Sequence, residues 1–119
     1  MFDHIGIRVK DLAASAAFYK TVLATLGHVP GYADETTASF GPSGAPALWL
    51  HAVPKAGERG VHIAFRAADR AAVDRFYQAA LKAGGRDNGP PGPRPDYSKT
   101  YYAAFVIDLE GNNIEAMLS

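Results

Sequence analysis

Alternation of apolar and polar residues opens the chain. In HIGIRV (residues 4–9), Ile5, Ile7 and Val9 fall on one face of an extended segment, and His4, Gly6 and Arg8 on the other. The pattern returns in VHIAFR (61–66), where Val61, Ile63 and Phe65 oppose His62, Ala64 and Arg66. Each strand runs into an Asp suited to capping a helix, Asp11 or Asp69. The period then becomes helical, through Tyr19, Val22, Leu23 and Leu26 in one stretch and Val73, Phe76, Tyr77, Ala80 and Leu81 in the other. Gly27 and the pair Gly84-Gly85 stop the helices.

The two stretches are copies of one unit. At an offset of 58 residues, His4–Gly27 lies on His62–Gly85 without a gap, and 10 of the 24 positions are identical. Chance in an alanine-rich chain gives roughly two such matches, so the unit is duplicated. After each helix the pattern shortens into strands and turns. Strands are expected near 28–34, 36–41 and 46–53, punctuated by Pro30-Gly31 and by GPSGAP (41–46). The Gly- and Pro-rich stretch RDNGPPGPRPDYSK (86–99) predicts a loop with a brief strand at its start. TYYAAFVID (100–108) and NNIEAML (112–118) predict a hairpin through the turn Leu109–Asn112. The expected fold is α+β, one domain made of two βαβββ modules, 1–56 and 60–119, with GERG (57–60) as the linker.

Composition narrows the class. With 48% apolar residues, 119 residues suffice for a real core. The 12 basic and 12 acidic residues balance, and no basic run or stripe points to nucleic acid or an anionic membrane. The absence of cysteine removes disulfides and thiolate chemistry and fits a reducing compartment. The first residues lack an apolar run, so neither a leader nor a membrane span is expected, and the expected location is cytoplasmic.

Parity supplies the candidate chemistry. On the last strand Ile114, Ala116 and Leu118 form the apolar face, and Asn113, Glu115 and Met117 point away. His4, His62 and Glu115 therefore all stand on the face turned from the helices. If the two sheets curve toward a shared concavity, two imidazoles and a carboxylate converge there. That is a donor set for Fe, Mn, Ni, Co or Zn with open positions for substrate.

The segments FDHIGIRVKDLAASAAFYKTVL, GVHIAFRAADRAAVDRFY and FVIDLEGNNIEAM resemble the vicinal oxygen chelate superfamily. That superfamily includes glyoxalase I, extradiol dioxygenases, fosfomycin-resistance enzymes and bleomycin-binding proteins. The final segment is similar to the family's D-P-x-G-x-x-x-E ending. The resemblance implies paired modules whose curved sheets form a cup, a homodimer, and a divalent metal held by His4, His62 and Glu115. The repeat equates ALWL (47–50) with NIEA (113–116), so Trp49 stands where glyoxalase I has a fourth ligand. An indole N–H cannot ligate. His51, two residues on, is either a substitute donor or a strand-end histidine. Phe105 stands ten residues before Glu115, where dioxygenase and fosfomycin relatives carry a Tyr.

The resulting expectation is a divalent-metal-dependent enzyme on a small oxygenated substrate, a glyoxalase-like lyase or isomerase. Glu115 and Tyr101 would handle protons. Arg8, Arg66, Trp49, His51, Phe105 and Tyr102 are the candidate substrate-binding residues, and the 86–99 loop is a lid or a connector. The alternatives are an extradiol-type ring-cleaving dioxygenase and a non-catalytic small-molecule binder of the bleomycin-resistance kind.

Overall fold

Both helices begin where their capping aspartates direct. In the computed structural model, which describes residues 1–54 and 60–119, α1 spans Leu12–Ala24 and α2 spans Arg70–Lys82. Asp11 accepts the Ala14 N–H at 3.0 Å, and Asp69 accepts the Ala72 N–H at 2.7 Å. Each cap satisfies one of the amide donors that the first helical turn leaves free.

The strands are β1 (Ile5–Val9), β2 (Val29–Ala33), β3 (Thr37–Gly41), β4 (Leu48–Ala52), β5 (His62–Arg66), β6 (Arg86–Asp87), β7 (Gly92–Pro93), β8 (Tyr102–Ile107) and β9 (Asn113–Leu118). One sheet has the order β1-β4-β3-β2. The other has β5-β9-β8-β6, with β7 also on β8. Neither sheet closes into a barrel, and β1 and β5 are each the edge of their sheet. The first half thus follows the expected βαβββ pattern. The second follows it through β6, β8 and β9 and adds one piece: β6 and β7 are only two residues long, and β7 pairs Gly92 with Ala103 and Pro93 with Tyr102 inside the stretch expected to be loop. Prolines at 90, 91, 93 and 95 remove the donors a longer ladder needs. β8 also starts two residues later than expected, leaving Tyr101 just outside it. The expected linker, apart from Gly60, lies outside the described residues.

One core joins the halves. Phe18, Tyr19, Val22 and Leu23 of α1 and Val73, Phe76 and Ala80 of α2 belong to a single buried cluster with Val9, Leu50, Val106 and Ile114. Gly85 is needed at this seam, because a Cβ there would stand 2.9 Å from the Ala80 carbonyl and 3.1 Å from the Phe18 ring. Polar ties reinforce the seam. The buried Tyr19 hydroxyl donates to Asp108 Oδ2 at 2.5 Å, and Asp108 also accepts from the Asn112 side chain and from the N–H groups of Glu110 and Asn112. Glu110 Oε1 accepts the N–H groups of Lys10 and Asp11 at 2.6 and 2.8 Å. The β8–β9 turn is therefore fastened to the start of α1. Among the described residues no helix is long and apolar enough to cross a membrane.

Candidate functional site

The strand register sets the site. β5 pairs with β9 in parallel, His62 opposite Asn113 and Ala64 opposite Glu115, while β8 sets Phe105 opposite Glu115. His62, Glu115 and Phe105 thus share the face turned from α2. Glu115 is 3% exposed. Burying a carboxylate is costly unless its oxygens are matched, and both are. Oε1 accepts the Tyr101 hydroxyl at 2.5 Å, and Oε2 lies 3.1 Å from His62 Nε2.

The histidine's protonation follows from its other nitrogen. His62 Nδ1 lies 3.0 Å from the Asn113 carbonyl, which can only accept, so Nδ1 carries a proton. In the neutral ring Nε2 then bears the lone pair, and it faces a carboxylate oxygen. Two lone pairs at this distance need a proton or a cation between them. An imidazole whose Nδ1 is fixed by a backbone carbonyl, beside an oriented carboxylate, is the arrangement that presents Nε2 to a divalent metal. The donor set at this place fits such an ion. Tyr101 stays a hydrogen-bond donor: burial first, then the bond and charge of Glu115, push its phenol up to about 12.

The remaining predicted residues fall in three places. His4 precedes β1 on the exposed end of the chain, and its Nδ1 lies 2.7 Å from Asp3 Oδ1. Among the described residues no three His, Asp or Glu side chains come together in one cluster able to hold a metal. Trp49, His51 and Arg8 occupy the corresponding face of the first sheet, where Gly6 pairs with Trp49 and Arg8 with His51. The His51 ring lies across Gly6, with Nε2 3.1 Å from where a Cβ would stand, and Trp49 is 6.2 Å from the exposed ring of Tyr32. Arg66 is exposed at the far end of β5. Tyr102 faces α2, donating its hydroxyl to Asp74 at 2.7 Å under the Arg70 guanidinium. Phe105 stacks on His62, centroids 6.2 Å apart, with Arg94 over its ring.

A cavity of about 440 Å³ opens between the N-terminal end of β1 and the edge of β5. His4 and His62 both line it, above an apolar floor that includes Leu23, Phe40 and Phe65. Its wall also contains His28, whose Nδ1 is shut from solvent without a hydrogen-bond partner; desolvation lowers the pKa of this imidazole. The sequence pattern gave His28 no signal, since it follows the Gly27 stop at a place with no periodicity. Asn113 was likewise read only as a parity neighbour, although its carbonyl fixes the His62 tautomer.

A family model described as the Glyoxalase/Bleomycin resistance protein/Dioxygenase superfamily matches residues 1–116. The chain belongs to that superfamily. Among solved structures, it is similar to a glyoxalase/bleomycin resistance protein from Albidiferax ferrireducens T118, with 30% identity and a TM-score of 0.84, over 98% of this chain and 97% of that one. A putative glyoxalase from Bacillus halodurans shares 24% identity at a TM-score of 0.76, covering 98% and 94% of the two chains. The fosfomycin resistance protein FosX from Mesorhizobium loti shares 23% at 0.73, covering 100% and 92%. The last two likenesses are of fold. No curated protein matches the chain.

Proposed function

We propose that this member of the superfamily is a divalent-metal-dependent enzyme acting on a small oxygenated substrate, with glyoxalase-like lyase or isomerase chemistry. The observation that carries the reading is the contact of His62 Nε2 with Glu115 Oε2 at 3.1 Å, each partner oriented from behind by Asn113 or Tyr101. His62 and Glu115 would hold the ion. His4 would complete the set from a second copy of the chain: within one chain it pairs with Asp3 and, among the described residues, forms no cluster with His62 and Glu115, and β1 and β5 are both sheet edges. A bound divalent ion supplies Lewis acidity for a substrate oxygen that gains negative charge. Tyr101 holds the carboxylate and keeps a proton available beside it. Glu115 is the group placed to take a proton from a carbon next to a substrate carbonyl.

A binding-only reading is favoured by one feature, the Tyr32–Trp49 pair, which offers aromatic surface on a face that carries no carboxylate ligand. Turnover separates the two. A methylglyoxal–thiol adduct consumed by metal-loaded protein, and left intact by the His62→Ala and Glu115→Gln variants, supports the lyase. Oxygen uptake with catechols in the presence of Fe(II) would move the assignment to dioxygenation. Binding of aromatic compounds that is indifferent to metal and to both substitutions would support the binder.

A further inference from the structure

Several contacts that orient Glu115 and His62 from the loop side meet at Arg94. Its guanidinium donates to three carbonyls of its own segment, through Nη2 to Pro90 at 2.7 Å and through Nη1 to Gly92 and Pro93 at 3.0 and 3.3 Å. Its backbone N–H donates to the Tyr101 carbonyl at 2.8 Å, and its carbonyl accepts the Tyr97 N–H at 3.0 Å. The Tyr97 ring in turn meets the Tyr101 ring edge-on, centroids 5.1 Å apart. Arg94 Cζ also lies 5.4 Å from the centre of Phe105, the ring that stacks on His62. Gly89 makes the close approach possible, since at φ +145 a Cβ would stand 3.1 Å from Phe105 and 3.3 Å from Arg94 Nη2.

This arginine is not placed like an anion receptor. It is half-buried, its planar fork is engaged by neutral carbonyls, and among the described residues no carboxylate pairs with it. The segment expected to be a lid or a connector is instead a strap, paired with β8 and braced from within by this side chain.

We propose that Arg94 is a positioning residue: by fixing the 88–101 strap it holds Tyr101 on Glu115 Oε1 and Phe105 against His62, and so sets the geometry of the histidine–carboxylate pair without touching substrate. The proposal rests on the reading of His62 and Glu115 as the working pair. Lysine cannot replace Arg94, because a single ammonium on a flexible stem lacks the two spaced donor nitrogens that reach Pro90 on one side and Gly92 and Pro93 on the other.

The test reads the Tyr101 hydroxyl proton by NMR in metal-free protein. A short O–H···O⁻ bond moves that proton far downfield and slows its exchange; Tyr101→Phe identifies it by its loss. Wild type should show the resonance. Arg94→Ala and Arg94→Lys should both lose it or move it upfield, with the remaining amide spectrum folded, and the lysine variant serves if alanine fails to fold. An unchanged resonance in either folded variant, or none in wild type, overturns the proposal. Zn(II) affinity gives the second readout. Arg94→Ala should weaken it by about ten-fold, the scale of a group that orients a ligand, and the effect should shrink in a Tyr101→Phe background, where only the route through Phe105 remains. Absence of Zn(II) binding by wild type would sink the metal reading while the hydroxyl resonance still decides the role of Arg94.

Discussion

The two halves carry the same histidine at the same place and use it differently. In the register of each sheet, Ile5 faces Leu48 and Gly6 faces Trp49, while Ile63 faces Ile114 and Ala64 faces Glu115. Trp49 and Glu115 are thus structural equivalents. Where the second half has a buried carboxylate, His62 settles between it and the Asn113 carbonyl; where the first has an indole, His4 turns to Asp3 at the surface. The strap over Phe105 has no counterpart among the described residues over β3 and β4, where Trp49 meets Tyr32 of β2 and His51 lies across Gly6. Duplication provided two frames, and divergence at one strand position and one loop made one of them the half that holds the carboxylate.

Substitutions can break this comparison, and the largest effect belongs to the histidines. His62→Ala should weaken divalent metal affinity more than about 100-fold, the outcome of removing a direct ligand rather than a supporting group, as read by competition with a chromophoric chelator. His4→Ala should do the same if the second copy supplies that residue. A mixture of the two variants, unfolded and refolded together, then regains about a quarter of wild-type capacity, since half of the dimers are mixed and each mixed dimer has one intact site of two. No recovery would mean that His4 and His62 act within one chain, and a His4→Ala variant that binds like wild type would mean that His4 does not act at all.

The equivalent tyrosines sharpen the comparison next. Tyr19 is fully buried with its hydroxyl on Asp108, whereas Tyr77, in the middle of α2, keeps 9% exposure. Tyr19→Phe leaves the buried Asp108 carboxylate one donor short and should cost about 1–3 kcal/mol in urea unfolding. Tyr77→Phe should cost less than about 1 kcal/mol, because water can reach a partner left beside this less deeply buried ring. Equal costs would mean that the Asp108 tie does not join the halves as described.

The same phenols predict a pH dependence. Burial and Asp108 raise the Tyr19 pKa, and burial and Glu115 push Tyr101 up to about 12. A group whose folded pKa exceeds its unfolded value, about 10 for tyrosine, contributes stability that is fully present below that value and is lost as pH rises through the folded one. Stability should therefore hold up to about pH 10 and fall between about 10 and 12, with a shallower fall in the Tyr19→Phe, Tyr101→Phe double variant. A double variant that falls as steeply as wild type contradicts this. The smallest effect tests likeness: Asp11→Ala and Asp69→Ala should each cost about 1 kcal/mol in thermal unfolding, since both carboxylates make the same cap bond.

Most of the frame was legible because it is local. Period-2 and helical patterns fixed β1, β5 and the outer faces of the strands, the capping aspartates fixed both helix starts, and the repeat predicted the equivalence of Trp49 with Glu115 that the register displays. The strap was not legible. Composition marked 86–99 as a loop with a brief strand at its start, which β6 matches, but the bonds that brace the rest run largely from one arginine to carbonyls, which every residue has, so no residue pattern announces them. Tyr19 read as a core position at helical spacing, and its tie to Asp108, 89 residues on, has no signature in either segment. Of the candidate site, parity put His4, His62 and Glu115 on like faces. It carried no information on how those faces meet, and the fold joins His62 to Glu115 within one chain while His4, on the same cavity as His62, pairs with Asp3 instead.

The most direct test is the metal content of chelator-stripped protein reloaded in turn with Fe(II), Mn(II), Co(II), Ni(II) and Zn(II), measured by elemental analysis after desalting. At least one of these ions should be retained at about one per chain, and the same ion should be absent from His62→Ala and Glu115→Gln. Wild-type protein that retains none of them, or variants that retain as much as wild type, would contradict the assignment of His62 and Glu115 as a metal-holding pair.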